Sequence, residues 1–171
     1  MRSDSADLPP VRRELRLSAD AALTEALGSA IGAHLQPGDA LGLVGEIGAG
    51  KTTLVRGLAR GLAIDAPEDV ASPTYLLVVE HPGVTRLLHA DAYLPAKLEG
   101  FLADGGLEYL FQPDAIACVE WADRILSLMP AGTLWVELIP MPDGGRACRF
   151  RCAEARAFPW IETLGENPIG G

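Results

Sequence analysis

Apolar residues recur every four positions at Leu23, Leu27, Ile31 and Leu35, the repeat that lines one stripe of a helix, and Ser18 stands where an N-cap would start it. Pro37-Gly38-Asp39 ends that segment. Ala40 to Val44 is apolar without alternation, the pattern of a strand buried on both faces, and it runs straight into a glycine-rich loop followed by a helical stretch from Lys51 to Leu62. Tyr75–Glu80 and Thr85–Ala90 read as strands joined across His81-Pro82-Gly83, a hairpin turn, so the sheet is expected to be mixed. Residues 95–112 read as helical or irregular, Ala115–Glu120 as a buried strand, Ala122–Met129 as a helix and Thr133–Ile139 as a strand. Asp143-Gly144-Gly145 then turns the chain into Arg146–Cys152, an expected edge strand with Arg149 and Arg151 alternating outward. Residues 1–13 read as a disordered lead-in and 156–171 as a frayed, glycine- and proline-containing tail. The pattern predicts one α/β domain over residues 14–155, a mixed, mostly parallel sheet flanked by helices.

Composition narrows the function without naming it. The 171 residues carry a formal net charge of −9, and no basic cluster is denser than Arg12, Arg13 and Arg16, which argues against a free-standing nucleic-acid binder. Cys118, Cys148 and Cys152 are too few and too irregular for a disulfide framework, and no histidine stands at metal spacing beside them. No apolar leader or run of about 18 apolar residues occurs, so a cytoplasmic location with no membrane contact is expected.

The chemistry concentrates in Gly45-Glu46-Ile47-Gly48-Ala49-Gly50-Lys51-Thr52, which fits G-x-x-x-x-G-K-[ST] between a strand and a helix, with Thr53 continuing the helix. Glycines permit the backbone to turn its N–H groups inward at phosphate oxygens, and the helix N-terminus adds its positive dipole end. A glycine-rich surface loop with an incidental lysine is the alternative, but composition alone gives about 0.002 expected matches in a chain of this make-up. The chain is therefore a single P-loop NTPase domain. Lys51 is placed to reach the β- and γ-phosphates, and the Thr52 hydroxyl to ligate Mg²⁺. No N-K-x-D element follows, so adenine is expected and ATP is the expected nucleotide.

Such a site needs a second carboxylate at a strand end for Mg²⁺, and often a group that orients the attacking water. Glu120 ends the apolar run Ala115 to Val119, and Asp91 follows Arg86 to His89. Either could instead be an ordinary strand-end residue. Ser72-Pro73-Thr74 occupies the stretch where many P-loop proteins keep a γ-phosphate sensor, or else is a capped turn. His89, Asp91 and Tyr93 alternate and so share one face of an extended segment. Trp121 directly follows Glu120 and is expected beside the nucleotide. Besides an ATPase, two readings fit these residues: a P-loop small-molecule kinase, which normally adds an arginine-bearing lid, and a nucleotide-gated binding module with negligible turnover.

Taken together, Gly45 to Thr53, Ser72-Pro73-Thr74-Tyr75, His89-x-Asp91-x-Tyr93, Leu107-Glu108-Tyr109 and Glu120-Trp121 resemble the TsaE family, the ATPase subunit of bacterial tRNA threonylcarbamoyladenosine synthesis. The resemblance implies that Thr52 and Glu120 hold Mg²⁺, that Asp91 is important for hydrolysis and that Thr74 belongs to a nucleotide-responsive switch. It places the segment from Ser18 to Ala21, with Asp20 the candidate contact, near the nucleotide base. The implied partners are the TsaB and TsaD subunits, where TsaD modifies adenosine 37 of tRNA, with tRNA reached only through that complex. One departure stands out. The family pattern continues from the tyrosine into arginine, whereas Leu94 follows Tyr93; Arg86, Arg124 or a partner residue are the candidates to replace it.

Overall fold

In a computed structural model, residues 7–74, 77–154 and 157–165 are described. Seven strands form one sheet: β1 (Val11–Leu17), β2 (Ala40–Val44), β3 (Val78–His81), β4 (Arg86–Asp91), β5 (Ala115–Glu120), β6 (Leu134–Pro140) and β7 (Arg146–Arg151). Their spatial order is β1-β7-β6-β2-β5-β4-β3. The four central strands, β6, β2, β5 and β4, are parallel, and β3, β7 and β1 are added antiparallel at the two flanks. The hairpin at His81-Pro82-Gly83 thus makes the sheet mixed, with its parallel part confined to the centre.

Helices α1 (Ala21–Gly32) and α2 (Lys51–Gly61) cover one face. Their Leu27, Ile31, Leu54 and Leu58 meet Leu41, Leu43, Ile116 and Val136 of the sheet, all buried. The other face, with Ala90, Ala117, Val119 and Trp135, is covered by α3 (Pro95–Ala103), α4 (Gly106–Leu110) and a 3-10 segment, Ala122–Leu128. Burial on both faces is why β2 and β5 read as unbroken apolar runs. Gly42 in β2 leaves the room that the Trp135 indole fills, since a Cβ there would lie 2.8 Å from the ring.

The two helices of the first face are in backbone contact. Gly28 and Gly32 of α1 face Gly57 and Gly61 of α2, and a Cβ on Gly57 would sit 1.9 Å from the Glu25 carbonyl oxygen. Glu25 also pairs with Arg56, at 3.2 Å, and with Arg60. This close pair fixes α2, and with it the loop that α2 carries.

Four expectations change. Residues 11–13 are not part of a disordered lead-in: they begin β1, and Leu8 before them is buried, while residues 1–6 lie outside the described residues. The charges that masked this strand serve distant carbonyls; Arg12 donates to Cys152 and Ala153 oxygens, and Arg13 to those of Glu162 and Leu164. Because β1 takes the edge, Arg146–Arg151 is an interior strand, with Arg151 held by Glu137 at 3.1 Å and by the Pro9 carbonyl at 3.0 Å. The helix cap is Asp20 rather than Ser18, since the Asp20 carboxylate accepts the Ala22 N–H at 2.8 Å. The stretch expected to fray from residue 156 instead buries Phe158, Ile161 and Leu164 in the first core; residues 166–171 lie outside the described residues. All three cysteines are free and buried, and burial pushes the Cys118 thiol up and that of Cys148 to about 12, so neither is a ready nucleophile.

Candidate nucleotide-binding and catalytic site

The parallel strands β2, β4 and β5 deliver their C-terminal ends to one side, and the site is built there. The loop after β2 holds three glycines at positive φ, Gly48 among them at 78°. Gly45 has φ 155° and a Cβ on it would meet the Leu138 carbonyl at 2.6 Å, while Gly50 caps α2 at φ 105°, in the left-handed region. Ile47 projects outward, 77% exposed, and Ala49 is buried.

Lys51 begins α2 and is only 5% exposed. Its Nζ donates to the Gly45 carbonyl at 2.6 Å and the Glu46 carbonyl at 2.9 Å, and it sits 3.9 Å from the centre of the Trp121 ring. Burial lowers its pKa, opposed by the negative charge of Glu120, Asp91 and Asp123. Thr52, the next residue, donates to both carboxylate oxygens of Glu120, at 2.9 and 3.1 Å. Glu120 is 3% exposed, and His89, completely buried, brings Nε2 to 2.9 Å from its Oε1. A carboxylate only accepts, so the imidazole proton is on Nε2. His89 Nδ1 has no partner among the described residues, nor does Nε2 of His81, whose ring is 6.0 Å away.

Asp91, 1% exposed at the end of β4, gathers a second group of residues. Its Oδ2 accepts from Ser72 at 3.0 Å and Thr74 at 2.7 Å, its Oδ1 accepts the Tyr93 N–H at 2.8 Å, and the two hydroxyls are 2.8 Å apart. Trp121 turns off β5 in the left-handed conformation, φ 58°, and this brings its ring over Lys51 and 5.0 Å from Tyr93. The segment that follows is a kinked 3-10 stretch rather than the regular helix expected there, with Ile125 out of helical geometry.

These groups line one cavity of about 400 Å³, which includes Lys51, Thr52, Thr53, Thr74, Asp91, Glu120 and Trp121 together with Ile47, Gly48 and Gly50. Of the residues the sequence singled out, Gly45 and Glu46 serve through their carbonyls on Lys51, and Ala49 packs beneath the loop. Asp20 lies off the cavity and caps α1. Ser72 and Tyr93 also line the cavity. Arg146 was not foreseen: its Nη1 donates to the Ala49 carbonyl at 3.3 Å from β7, 97 positions away, with no local signal to announce it. Of the arginines offered in place of one at position 94, Arg86 sits at the other end of β4, tied to Glu80 at 3.3 Å and Asp114 at 3.0 Å. Arg124 lies on the cavity side, its Nη1 donating to the Tyr93 carbonyl at 2.8 Å.

The donor set fits a magnesium ion. A hydroxyl and a carboxylate, both hard oxygen donors, stand together at the helix start, and Mg²⁺ is commonly bound by one or two protein oxygens with phosphate and water completing the shell. No group of three or more His, Cys, Asp or Glu side chains suited to a metal occurs among the described residues, so the protein does not supply a complete cage.

Comparison with known proteins decides the lineage. The family model described as threonylcarbamoyl adenosine biosynthesis protein TsaE matches residues 18–147, well over half of the chain. The chain belongs to the TsaE family. A TsaE relative from Bacillus subtilis (strain 168), a tRNA threonylcarbamoyladenosine biosynthesis protein, is 36% identical over 145 residues, covering 84% of this chain and 89% of its own length. A TsaE relative from Treponema pallidum (strain Nichols), carrying the same description, is 36% identical over 119 residues, covering 70% and 86%. The crystal structure of Bacillus YdiB superposes with a TM-score of 0.70 at 28% identity, covering 90% of this chain and 95% of that one. TsaE membership places the chain in threonylcarbamoyladenosine biosynthesis, and the family match includes both the P-loop and the Glu120-Trp121 pair. No helix among the described residues is long and apolar enough to cross a membrane.

Proposed function

We propose that this chain binds ATP with Mg²⁺ and hydrolyses it slowly, as a cytoplasmic subunit required for threonylcarbamoylation of tRNA adenosine 37, through nucleotide-dependent association with the TsaB–TsaD complex. The observation that carries the reading is convergence: Lys51, Thr52 and Glu120 meet the Ser72–Thr74–Asp91 group across one cavity. The first set is what a polyphosphate and its cation require, and the second is what a hydrolytic step adds.

Each residue then has a task. The loop N–H groups and Lys51 bind the phosphates, Lys51 exchanging the Gly45 and Glu46 carbonyls for phosphate oxygens. Thr52 and Glu120 would hold Mg²⁺, which supplies charge neutralisation on the phosphates; His89 fixes the Glu120 carboxylate from behind. Asp91 orients the attacking water, and its hydrogen bonds to Ser72 and Thr74 link that function to a segment able to respond to the γ-phosphate. Trp121 and Tyr93 wall the cavity and exclude solvent on one side.

Hydrolysis by the isolated chain should be slow, because Ser72 and Thr74 rest on Asp91 and must be re-ordered around a nucleotide. Docking of the partner complex would order that segment, and the net charge of −9 suits a basic surface on the complex or its bound tRNA. Steady-state phosphate release is measured for the chain alone, with TsaB–TsaD, and with the pair plus tRNA, at low and moderate salt. Stimulation of several-fold or more is expected. Fast turnover by the chain alone, indifferent to the partners, overturns the assignment.

A further inference from the structure

Transfer of a γ-phosphoryl group spreads negative charge over oxygens that one ammonium cannot face alone, and among the described residues Lys51 is the one cationic side chain lining the cavity. Five other arginines are already committed. Arg56 and Arg60 pair with Glu25, Arg86 with Glu80 and Asp114, Arg149 with Glu14, and Arg151 with Glu137. Arg146 is turned to the underside of the loop, onto the Ala49 carbonyl.

Arg124 differs from the paired arginines in its partners and from Arg146 in its place. It is exposed and, among the described residues, makes no ion pair; its Nη1 donates to the neutral Tyr93 carbonyl. Its guanidinium lies 4.6 Å from the centre of the Tyr93 ring and 5.2 Å from that of Trp121, the two rings that form the cavity wall. Trp121 also carries Lys51 on its ring, at 3.9 Å. An aromatic wall therefore has one cation inside the cavity and another at its rim. A contact with ring faces and one neutral carbonyl is weaker than a charge-assisted, two-pronged contact with phosphate oxygens, so Arg124 has a resting place that it can leave.

We propose that Arg124 is a catalytic arginine supplied in cis, leaving the Tyr93 carbonyl to contact the γ-phosphoryl oxygens as they gain charge. In that step the water oxygen forms a bond to the γ-phosphorus while the bond from that phosphorus to the β–γ bridging oxygen breaks. ADP departs with the electron pair, and of the water's two protons one stays on the released phosphate and the other passes to solvent. Arg124 keeps its protons throughout and contributes N–H donors and charge. The proposal rests on the ATPase reading above, and contact with a partner would act by favouring the inward position.

The test compares two ligands by calorimetry on the full chain: a non-hydrolysable ATP analogue with Mg²⁺, and ADP with Mg²⁺ and aluminium fluoride, which imitates the transferring group. The wild-type chain should bind the second more tightly. Arg124→Ala should weaken that binding about tenfold or more while changing analogue affinity by less than about threefold, and should lower phosphate release to match. Arg124→Lys, which keeps charge but loses the fork, should fall between, and added guanidinium ion should partly restore Arg124→Ala. Arg86→Ala serves as a control and should alter neither ligand's affinity nor turnover. Unchanged mimic binding and turnover in Arg124→Ala, equal loss for both ligands, or no preference for the mimic in the wild type would each overturn the proposal. Failure of the wild type to bind the ATP analogue at all would remove the ATPase reading itself, a separate and distinguishable result.

Discussion

Substituting Gly57 by alanine tests whether the contact between α1 and α2 is as close as described. Ordinary contact begins near 3.4 Å, and the added Cβ would lie 1.9 Å from the Glu25 carbonyl oxygen, so the helices must part by about 1.5 Å at that point. The obstacle is backbone, and no rotamer change relieves it. Gly28, Gly32 and Gly61 make comparable approaches, at 2.1 to 2.5 Å, so separation at one place loosens the whole seam and the packing of Leu27, Ile31, Leu54 and Leu58. Overpacking costs about 1–3 kcal/mol, and the upper end applies to a clash with backbone. Alanine recovers about 1 kcal/mol of helix propensity, leaving a net loss of about 2 kcal/mol. The internal control is Gly100→Ala in α3, where a Cβ meets nothing within 4 Å and the propensity gain stands alone. Urea denaturation should therefore give opposite signs for the same chemical change, with Gly57→Ala destabilised and Gly100→Ala stabilised by up to about 1 kcal/mol. Because α2 carries Lys51 and Thr52, Gly57→Ala should also weaken nucleotide binding. A Gly57→Ala chain as stable as the wild type would refute the close contact.

Three further experiments probe the site. Lys51→Met should abolish nucleotide-induced thermal stabilisation while leaving the nucleotide-free chain at least as stable as the wild type, since it removes a buried charge. The sign follows from the lowered Lys51 pKa: the unfolded chain holds that proton to higher pH, so the wild type gains stability as pH rises from the folded value toward 10.5, and Lys51→Met lacks that gain in urea melts. Asp91→Asn should keep nucleotide affinity and fold but lower phosphate release, because an amide oxygen still accepts from Tyr93 N–H while the water-orienting charge is gone; equal loss of binding by calorimetry would make Asp91 structural. In a Trp135→Phe, Trp160→Phe background the emission of Trp121 should change with ATP and Mg²⁺, since Lys51 leaves its ring, and an unchanged spectrum would argue that Lys51 does not move.

Legibility in the sequence tracked how local each cause is. The loop from Gly45 to Thr52 was readable as a strand-to-helix turn because its conformation depends on spacing within eight residues, and β2 and β5 because both faces of each are buried. Glu120 and Asp91 were readable as strand ends, but not that Thr52 and His89 both hold Glu120, or that Ser72 and Thr74 share one oxygen of Asp91. β1 was hidden because Arg12 and Arg13 look like a solvated lead-in until their carbonyl partners, some 140 positions later, are seen. The same partners explain why residues through Leu164 pack rather than fray. The segment after Trp121 kept its place and lost its regularity, because Ile125 in its middle leaves helical geometry and no residue spacing announces that break.

The hold that Gly45, Glu46 and the Trp121 ring have on Lys51 bears on the rhythm of the molecule over repeated rounds of binding. A lysine left in water between rounds would have to be found and desolvated at every encounter, and the loop around it would relax into other shapes. Here the ammonium is stripped of most solvent in advance, and its two carbonyl contacts tie Gly45 and Glu46 to the start of α2. On the proposed ATPase reading, capture is then a swap of partners at one nitrogen, and release is its reversal. The slow events of a round are accordingly to be sought elsewhere, in the Ser72–Thr74 segment and in what docks against it.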